Sequence, residues 1–432
     1  MRIHLVGVGG SGVSALARLF LARGDLVSGC DLYASEVTAQ LQSEGLHFSL
    51  GHHPAHAQGQ QVVIFSGAAK GAREELQAAH EQGAEVLSRA QMLARLMTES
   101  DSVAVAGSHG KTTVTFMTGH VLERAGWDPT VLVGDGSSSR VGASRWLVAE
   151  ADESDGSLDL HRPRHAIVTN VEFDHPDHFA NLGQLETIFG QFLGRLPAAG
   201  VALVCADDPI ASRLSSSGRL VTYGFAAVAD WRCVPDGRGG PEVLNQGRAP
   251  LPLRLAVPGR HNLQNATAAL AMACELGVEG AVAAAALASF PGAKRRMELI
   301  GSWRGARVYD DYAHHPTEVA AVIEAARSLG GERVVLVFQP HRYSRFAVFA
   351  EQFGAALGGA DLALVTEIYG AGEPNPDGVS ARAMAAGAGL DFAPDSAAAR
   401  RWMGVHVRAR DVVILMGAGD IQRLGNELAQ QG

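Results

Sequence analysis

The chain of 432 residues is long enough for two to four domains, and at 47% hydrophobic and 19% charged it has an ordinary globular composition. A net charge of −9 excludes the basic surface that nonspecific nucleic-acid binding needs. No apolar run spans a bilayer, and the opening stretch is broken by a glycine loop and Arg18, which argues against a signal peptide or membrane and for the cytoplasm. The cysteines Cys30, Cys205, Cys233 and Cys274 are isolated, without metal or redox spacing, and read as reduced core residues.

Residues 1–97 read as a first α/β unit. A strand over Ile3–Val6 runs into Gly7-Val-Gly9-Gly10-Ser11-Gly12 and a helix to about Arg23, and a second strand from Leu26 leads to Asp31. Formally this is a dinucleotide fingerprint, but a glycine loop at a helix N-terminus suits any diphosphate. Ser66, after a strand over Val62–Phe65, and Arg89, before a helix over Ala90–Met97, are candidates for further ligand contacts or plain turn and surface residues.

Residues 98–293 form a second unit around a strand over Val103–Ala106, the loop Gly107-Ser108-His109-Gly110-Lys111-Thr112-Thr113, and a helix running to Gly126. Glycines let the backbone approach phosphates, helix amides point at them, Lys111 supplies a point charge, and a Thr hydroxyl can hold magnesium. The usual loop has glycine six residues before the lysine; Val105 stands there, so this is a shortened variant. The lysines are Lys70, Lys111 and Lys294, which makes one in this loop conspicuous.

The next strand, Trp146–Ala149, ends in Glu150-Ala-Asp152-Glu153-Ser-Asp155, where such folds hold magnesium. A strand over Ala166–Val171 leads to Glu172-Phe-Asp174-His175-Pro-Asp177-His178, a second candidate metal site. Turns between Pro235 and Pro241 suggest a hairpin. His261, Asn262 and Asn265, at the opening of a helix over Ala266–Leu276, offer hydrogen bonds suited to a purine edge, although capping alone would explain one Asn.

Residues 294–432 form a third unit, again α/β and mostly parallel, with strands Arg307–Tyr309, Val334–Phe338, Leu362–Thr366 and Val412–Met416. Polar groups gather after each strand: Asp310, Asp311, His314 and His315; His341, Arg342 and Arg345; Glu373; and Asp420. Four such clusters in one domain point to ligands at the strand ends.

The motifs G-S-H-G-K-T-T, E-A-D-E-S-D, D-H-P-D, G-R-H-N-L-Q-N-A, K-R-R-M-E, D-D-Y-A-H-H-P-T-E, F-Q-P-H-R-Y-S-R and M-G-A-G-D, preceded by G-V-G-G-S-G-V-S, resemble those of the Mur ligases of peptidoglycan synthesis, most of all the alanine-adding branch. The resemblance covers nearly the full chain in order. It implies three α/β domains: an N-terminal Rossmann-like one for a UDP-sugar, a central P-loop ATPase-type one, and a mobile Rossmann-like C-terminal one that brings the amino acid.

The resemblance further implies ATP-dependent ligation of L-alanine to UDP-N-acetylmuramate through an acyl phosphate, with two magnesium ions. It reassigns the opening loop from NAD to the sugar nucleotide's diphosphate. By position, Lys111 and its loop hold the ATP phosphates. Thr112 and Glu150 bind one magnesium, and His175 a second. His261, Asn262 and Asn265 lie against adenine, Asp310 or Asp311 near the ribose, and Arg296 at the phosphates. His341, Arg342 and Arg345 face the alanine; a short helix starting there would put both arginines on one face, the alternative being a surface or interdomain salt bridge for one of them. Ser108, Pro176 and His178 depart from the usual pattern. The runner-up reading is a ligase joining a murein peptide to the same sugar nucleotide; from another class comes a non-catalytic NAD-binding switch.

Overall fold

The computed structural model describes every residue except 68, 70, 135–138, 155, 177, 235–239, 376 and 430–432, so the candidate acids Asp155 and Asp177 lie outside the described residues. Three separate sheets organise the chain. The first holds β1 (Arg2–Val6), β2 (Leu26–Asp31), β3 (His47–Leu50), β4 (Val62–Phe65) and β5 (Glu85–Ser88) in the order β3-β2-β1-β4-β5, all parallel. The order reverses between β1 and β4, so the loops after them, carrying the Gly7–Gly12 run and Ser66, open a crevice of the kind that takes ligands.

The second sheet is built from β6 (Asp101–Ala106), β7 (Thr130–Leu132), β8 (Trp146–Glu150), β9 (His165–Val168), β10 (Val201–Cys205), β11 (Arg219–Gly224), β12 (Trp231–Val234), β13 (Glu242–Asn245) and β14 (Leu251–Pro252). Its order is β14-β13-β12-β11-β10-β9-β6-β8-β7. Both neighbours of β6, β8 and β9, run parallel to it. The three therefore release their loops at one end, side by side: the glycine loop, the acidic cluster after Glu150, and the segment from Thr169 to His175. The apolar run of β6 is what a strand buried on both faces requires. β12 and β13 pair antiparallel, as the expected hairpin requires, while its turn at 235–239 lies outside the described residues.

The third sheet comprises β15 (Glu298–Trp303), β16 (Ala306–Asp311), β17 (Val334–Phe338), β18 (Leu362–Thr366), β19 (Asp391–Ala393) and β20 (Val412–Met416), ordered β15-β16-β20-β17-β18-β19, with β15 antiparallel. One apolar core runs continuously from the first sheet into the second, from Ile3 and Phe20 through Val105 and Met117 to Leu270. The third sheet has its own two cores, one on each face.

Several expected boundaries move, among them that of β16, which runs on to take in Asp310 and Asp311. β9 ends at Val168, three residues early, which frees Thr169 and Asn170 to leave the ladder. The helix expected from Ala266 spans Arg260–Glu275, with Gly259 at φ 102° before it. Neither Asn262 nor Asn265 caps it; both lie in its first two turns.

Candidate active site

The glycine loop is clasped by the segment after β9. Gly107 sits at φ 135°, against the Thr169 hydroxyl and the Asn170 backbone, where any Cβ would collide. Thr169 donates its hydroxyl to the His109 carbonyl at 2.6 Å, and Asn170 Oδ1 accepts the His109 N–H at 2.8 Å. Ser108 donates its hydroxyl to the Glu172 carbonyl at 2.9 Å and accepts the Glu172 N–H at 2.8 Å. Gly110, at φ 81°, leads into the helix Lys111–Arg124, which has no side-chain cap, so its first amides remain available to an anion.

Lys111 folds back on this loop. Its Nζ donates to the carbonyls of Gly107 at 2.6 Å and Ser108 at 3.2 Å, and to both oxygens of buried Glu153 at 3.0 Å. Thr112 donates its hydroxyl to Glu150 at 3.1 Å, and Glu150 also accepts the Gly134 N–H at 2.8 Å. Burial pushes Glu153 up to about 7 against the pull of Lys111, with Asp152 adding to the rise. Burial likewise raises Glu150. Three carboxylates thus share one ammonium, with Glu153 buried and Glu150 and Asp152 half-buried. That excess of negative oxygen suits a hard divalent cation. His175, at φ 55°, brings a ring nitrogen to within 4.8 Å of ligand atoms of Asp152 and Glu153. The residues present therefore fit magnesium, with Asp152 and Glu153 beside the expected Thr112, Glu150 and His175.

A cavity of about 300 Å³ lies between the second and third sheets. Of the residues expected at a nucleotide, it is lined by His109, Gly110, Thr113, His261, Asn262, Asn265, Arg296 and Asp311. Asn265 packs on Gly110, where a Cβ would sit 2.8 Å from its Oδ1. Burial drops His261 to about 4, leaving a neutral ring for hydrogen bonding. Asp311 is held by the amides of Met297 at 2.7 Å and Ala313 at 2.8 Å, and burial lifts it to about 6. Asp310 does not line this cavity: it pairs with Arg295 at 3.0 Å. Asp311 is thus the one of the two that can meet a ribose there.

The seam between the central and C-terminal domains is ionic. His109 meets Glu172 at 3.0 Å and Glu318 at 3.3 Å, and Glu172 accepts the Thr317 hydroxyl at 2.7 Å. Burial works against a charge on His109, but hydrogen bonds to Glu172 and Glu318 hold it up at about 9. Arg345 is buried in a bidentate pair with Asp174, at 2.8 and 3.2 Å. Despite the cost of burial, the Arg345 guanidinium holds Asp174 well below the usual carboxylate range.

This corrects one expectation. Arg342 and Arg345 do not share a helix face: Arg342 is the N-cap of helix Tyr343–Leu357, at φ 67°, and Arg345 lies in the first turn with its fork taken by Asp174. Arg345 is the interdomain salt bridge. His341 stacks on Tyr369, rings 5.7 Å apart, beside His314.

In the first domain, Gly7 (φ 78°) lies against Ser66, and Gly12 lies under Arg89, where a Cβ would sit 2.7 Å from Arg89 Cδ. Helix Ser11–Ala22 starts at Gly10 with no side-chain cap. Asp31 accepts the Gly9 N–H at 2.9 Å, so it tethers the loop. Gly12, Arg89 and Glu150 line one small cavity, joining this loop to the acidic cluster. The sequence reading missed Glu318, Thr169 and Asn170. Glu318 carries a local signal, the His315-Pro-Thr-Glu capping box, whereas the role of Thr169 and Asn170 depends on where β9 ends.

Comparison with known proteins agrees with this layout. Residues 2–100 match the Mur ligase family catalytic domain, 105–273 the Mur ligase middle domain, and 295–419 the Mur ligase glutamate ligase domain. A UDP-N-acetylmuramate–L-alanine ligase from Kineococcus radiotolerans is 43% identical, covering 99% of this chain and 95% of the relative. One from Mycolicibacterium smegmatis is 40% identical over 100% and 95%. The solved UDP-N-acetylmuramate–alanine ligase of Thermotoga maritima superposes with a TM-score of 0.80 at 28% identity, covering 100% of this chain and 99% of that one. A murein peptide ligase from Psychrobacter arcticus gives 0.71 at 25%, over 100% and 98%. With its three α/β domains, this chain belongs to the Mur ligase family.

Proposed function

We infer that this chain joins L-alanine to the lactyl carboxylate of UDP-N-acetylmuramate, driven by ATP, in the building of peptidoglycan precursors. The observation that carries the reading is the meeting of an uncapped glycine-loop helix, its lysine and a buried acidic cluster beside a cavity closed by a second domain. A carboxylate and an amine do not condense unaided in neutral water, so the carboxylate needs activation. The γ-phosphoryl of ATP passes to a carboxylate oxygen, ADP leaves, the unprotonated amine attacks the acyl carbon, and phosphate departs as the amide forms.

Lys111, released from the Gly107 and Ser108 carbonyls, and the amides of Thr112 and Thr113 receive the phosphates. Thr112 with Glu150, and His175 with Asp152 and Glu153, would hold magnesium, two ions in this reading. Bound there, magnesium supplies positive charge that offsets the repulsion between carboxylate and phosphate. His261, Asn262 and Asn265 take the adenine, Asp311 the ribose and Arg296 the phosphates. Gly7, Gly9, Gly10, Ser11 and Gly12, with Ser66 and Arg89, take the sugar nucleotide's diphosphate. His341 and Arg342 meet the alanine. Arg345, paired with Asp174, holds the third domain down, excluding water that would hydrolyse the acyl phosphate. The division of labour follows residues 1–97, 98–293 and 294–432.

We place the reaction in the cytoplasm, where ATP is at hand; among the described residues no helix is long and apolar enough to cross a membrane. The test is ADP release with UDP-N-acetylmuramate and alanine supplied together or singly. Turnover that needs both supports the reading; turnover with a murein tripeptide but not alanine overturns it in favour of the peptide-joining ligase.

A further inference from the structure

A second polar cluster lies in the first domain, with no part in the reaction above. His4 on β1 stands opposite Ser28 on β2 in register, and Cys30, two residues further along β2, projects from the same face. Helix Arg73–Glu81 lays Glu75 over them, and the turn Pro54–Ala57 adds His56. We propose that His4, Cys30, His56 and Glu75 form a zinc site.

The geometry has the form zinc demands. One ligand atom from each of the four residues lies within 4.8 Å of the others. Glu75 Oε1 is 2.9 Å from His4 Nε2, 3.1 Å from His56 Nδ1 and 3.4 Å from Cys30 Sγ. Bonds of about 2.0–2.3 Å in a tetrahedron give ligand-to-ligand edges of about 3.3–3.8 Å, so small side-chain adjustments admit the ion. Two neutral imidazoles, a thiolate and a carboxylate carry two negative charges, which zinc cancels. That balance matters because Cys30, His4 and Glu75 are sealed from water.

Outer contacts are in place as well. His4 Nδ1 is 2.8 Å from Ser28 Oγ, and Ser28 accepts from Gln60 Nε2 at 3.3 Å, which orients the ring with Nε2 inward. His52 Nδ1 stands 3.2 Å from Cys30 Sγ and 3.4 Å from Glu75 Oε2, available as a handover ligand. The His56 side chain, 19% exposed, provides the way in. Ligands so far apart in sequence leave no spacing motif, so the isolated cysteine gave no hint of them. The backbone carbonyl of Cys30 accepts the N–H groups of Gly7 at 2.8 Å and Val8 at 3.0 Å. Zinc would therefore stiffen the strand end from which the first glycine loop hangs.

The test uses the full-length protein, reduced and freed of metal, titrated with cobalt(II) and then zinc. About one equivalent of cobalt should bind with a thiolate-to-cobalt charge-transfer band and tetrahedral visible bands, and zinc should displace it. Among the described residues the other such groups, His109 with Glu172 and His315, and Asp152 with Glu153 and His175, contain no cysteine, so the band reports this site. Cys30→Ser should abolish the band, and His56→Ala, at the exposed edge, should weaken binding at least about tenfold. A titration of the unaltered protein without a thiolate band, or a band that survives Cys30→Ser, overturns the proposal.

Discussion

Lys111 is both a phosphate ligand in waiting and, among the described residues, the one ammonium beside Glu150, Asp152 and Glu153. Those two roles can be separated. Lys111→Met should cut turnover by about 10²-fold or more and also destabilise the protein by about 3 kcal/mol, because Glu153 is left buried without its partner. Adding Glu153→Gln should restore the melting temperature while turnover stays low. If the double variant recovered turnover too, Lys111 would be a structural lysine only. Glu150→Gln keeps the shape and the contact with Thr112 but removes a hard anionic oxygen. A magnesium titration should then saturate at roughly tenfold higher concentration; an unmoved curve would shift the duty to Asp152 and Glu153.

At the scale of elements, the helix Tyr343–Leu357 is fastened to the central domain by Arg345 and Asp174, with Phe173 against Phe349 beside them. Breaking a buried pair from one side costs about 3–5 kcal/mol, more than either partner contributes to binding a small amino acid. Arg345→Ala should therefore raise KM for ATP and for alanine together, whereas Arg342→Ala should raise chiefly that for alanine. A rise confined to alanine in the Arg345 variant would make it a substrate clamp after all. Strands such as Val334–Phe338 and Val412–Met416 were legible residue for residue, because a run buried on both faces leaves no alternative assignment. The glycine loop was legible for a similar reason: only certain residues tolerate its backbone. What escaped was pairing across domains. A sequence carries the charge of Asp174 and of Arg345 but not the 171 residues of separation being closed.

Across the whole molecule, the third domain meets the second through titrating groups, so closure should depend on pH. His109 has a raised pKa of about 9 in the closed seam against an ordinary 6.5. Its contribution is fully present below about 6.5 and is lost as pH rises through about 9. Asp174 is depressed, so its contribution is present above the ordinary carboxylate value and fades only in strong acid. Small-angle scattering should show the particle expanding between pH 7 and 10, and a His109→Gln variant should show no such transition. An unchanged profile in the unaltered protein would remove His109 from the clamp.

The distribution of apolar packing carries a further consequence. The first two domains share one core, while the third is sufficient to itself and touches them largely through charges, with Phe173 reaching into both. A cut in the chain near residue 293 would therefore sever a tether and no hydrophobic interior. Expressed as two polypeptides, the halves should each fold and find one another in solution, trading a single chain for a concentration-dependent partnership.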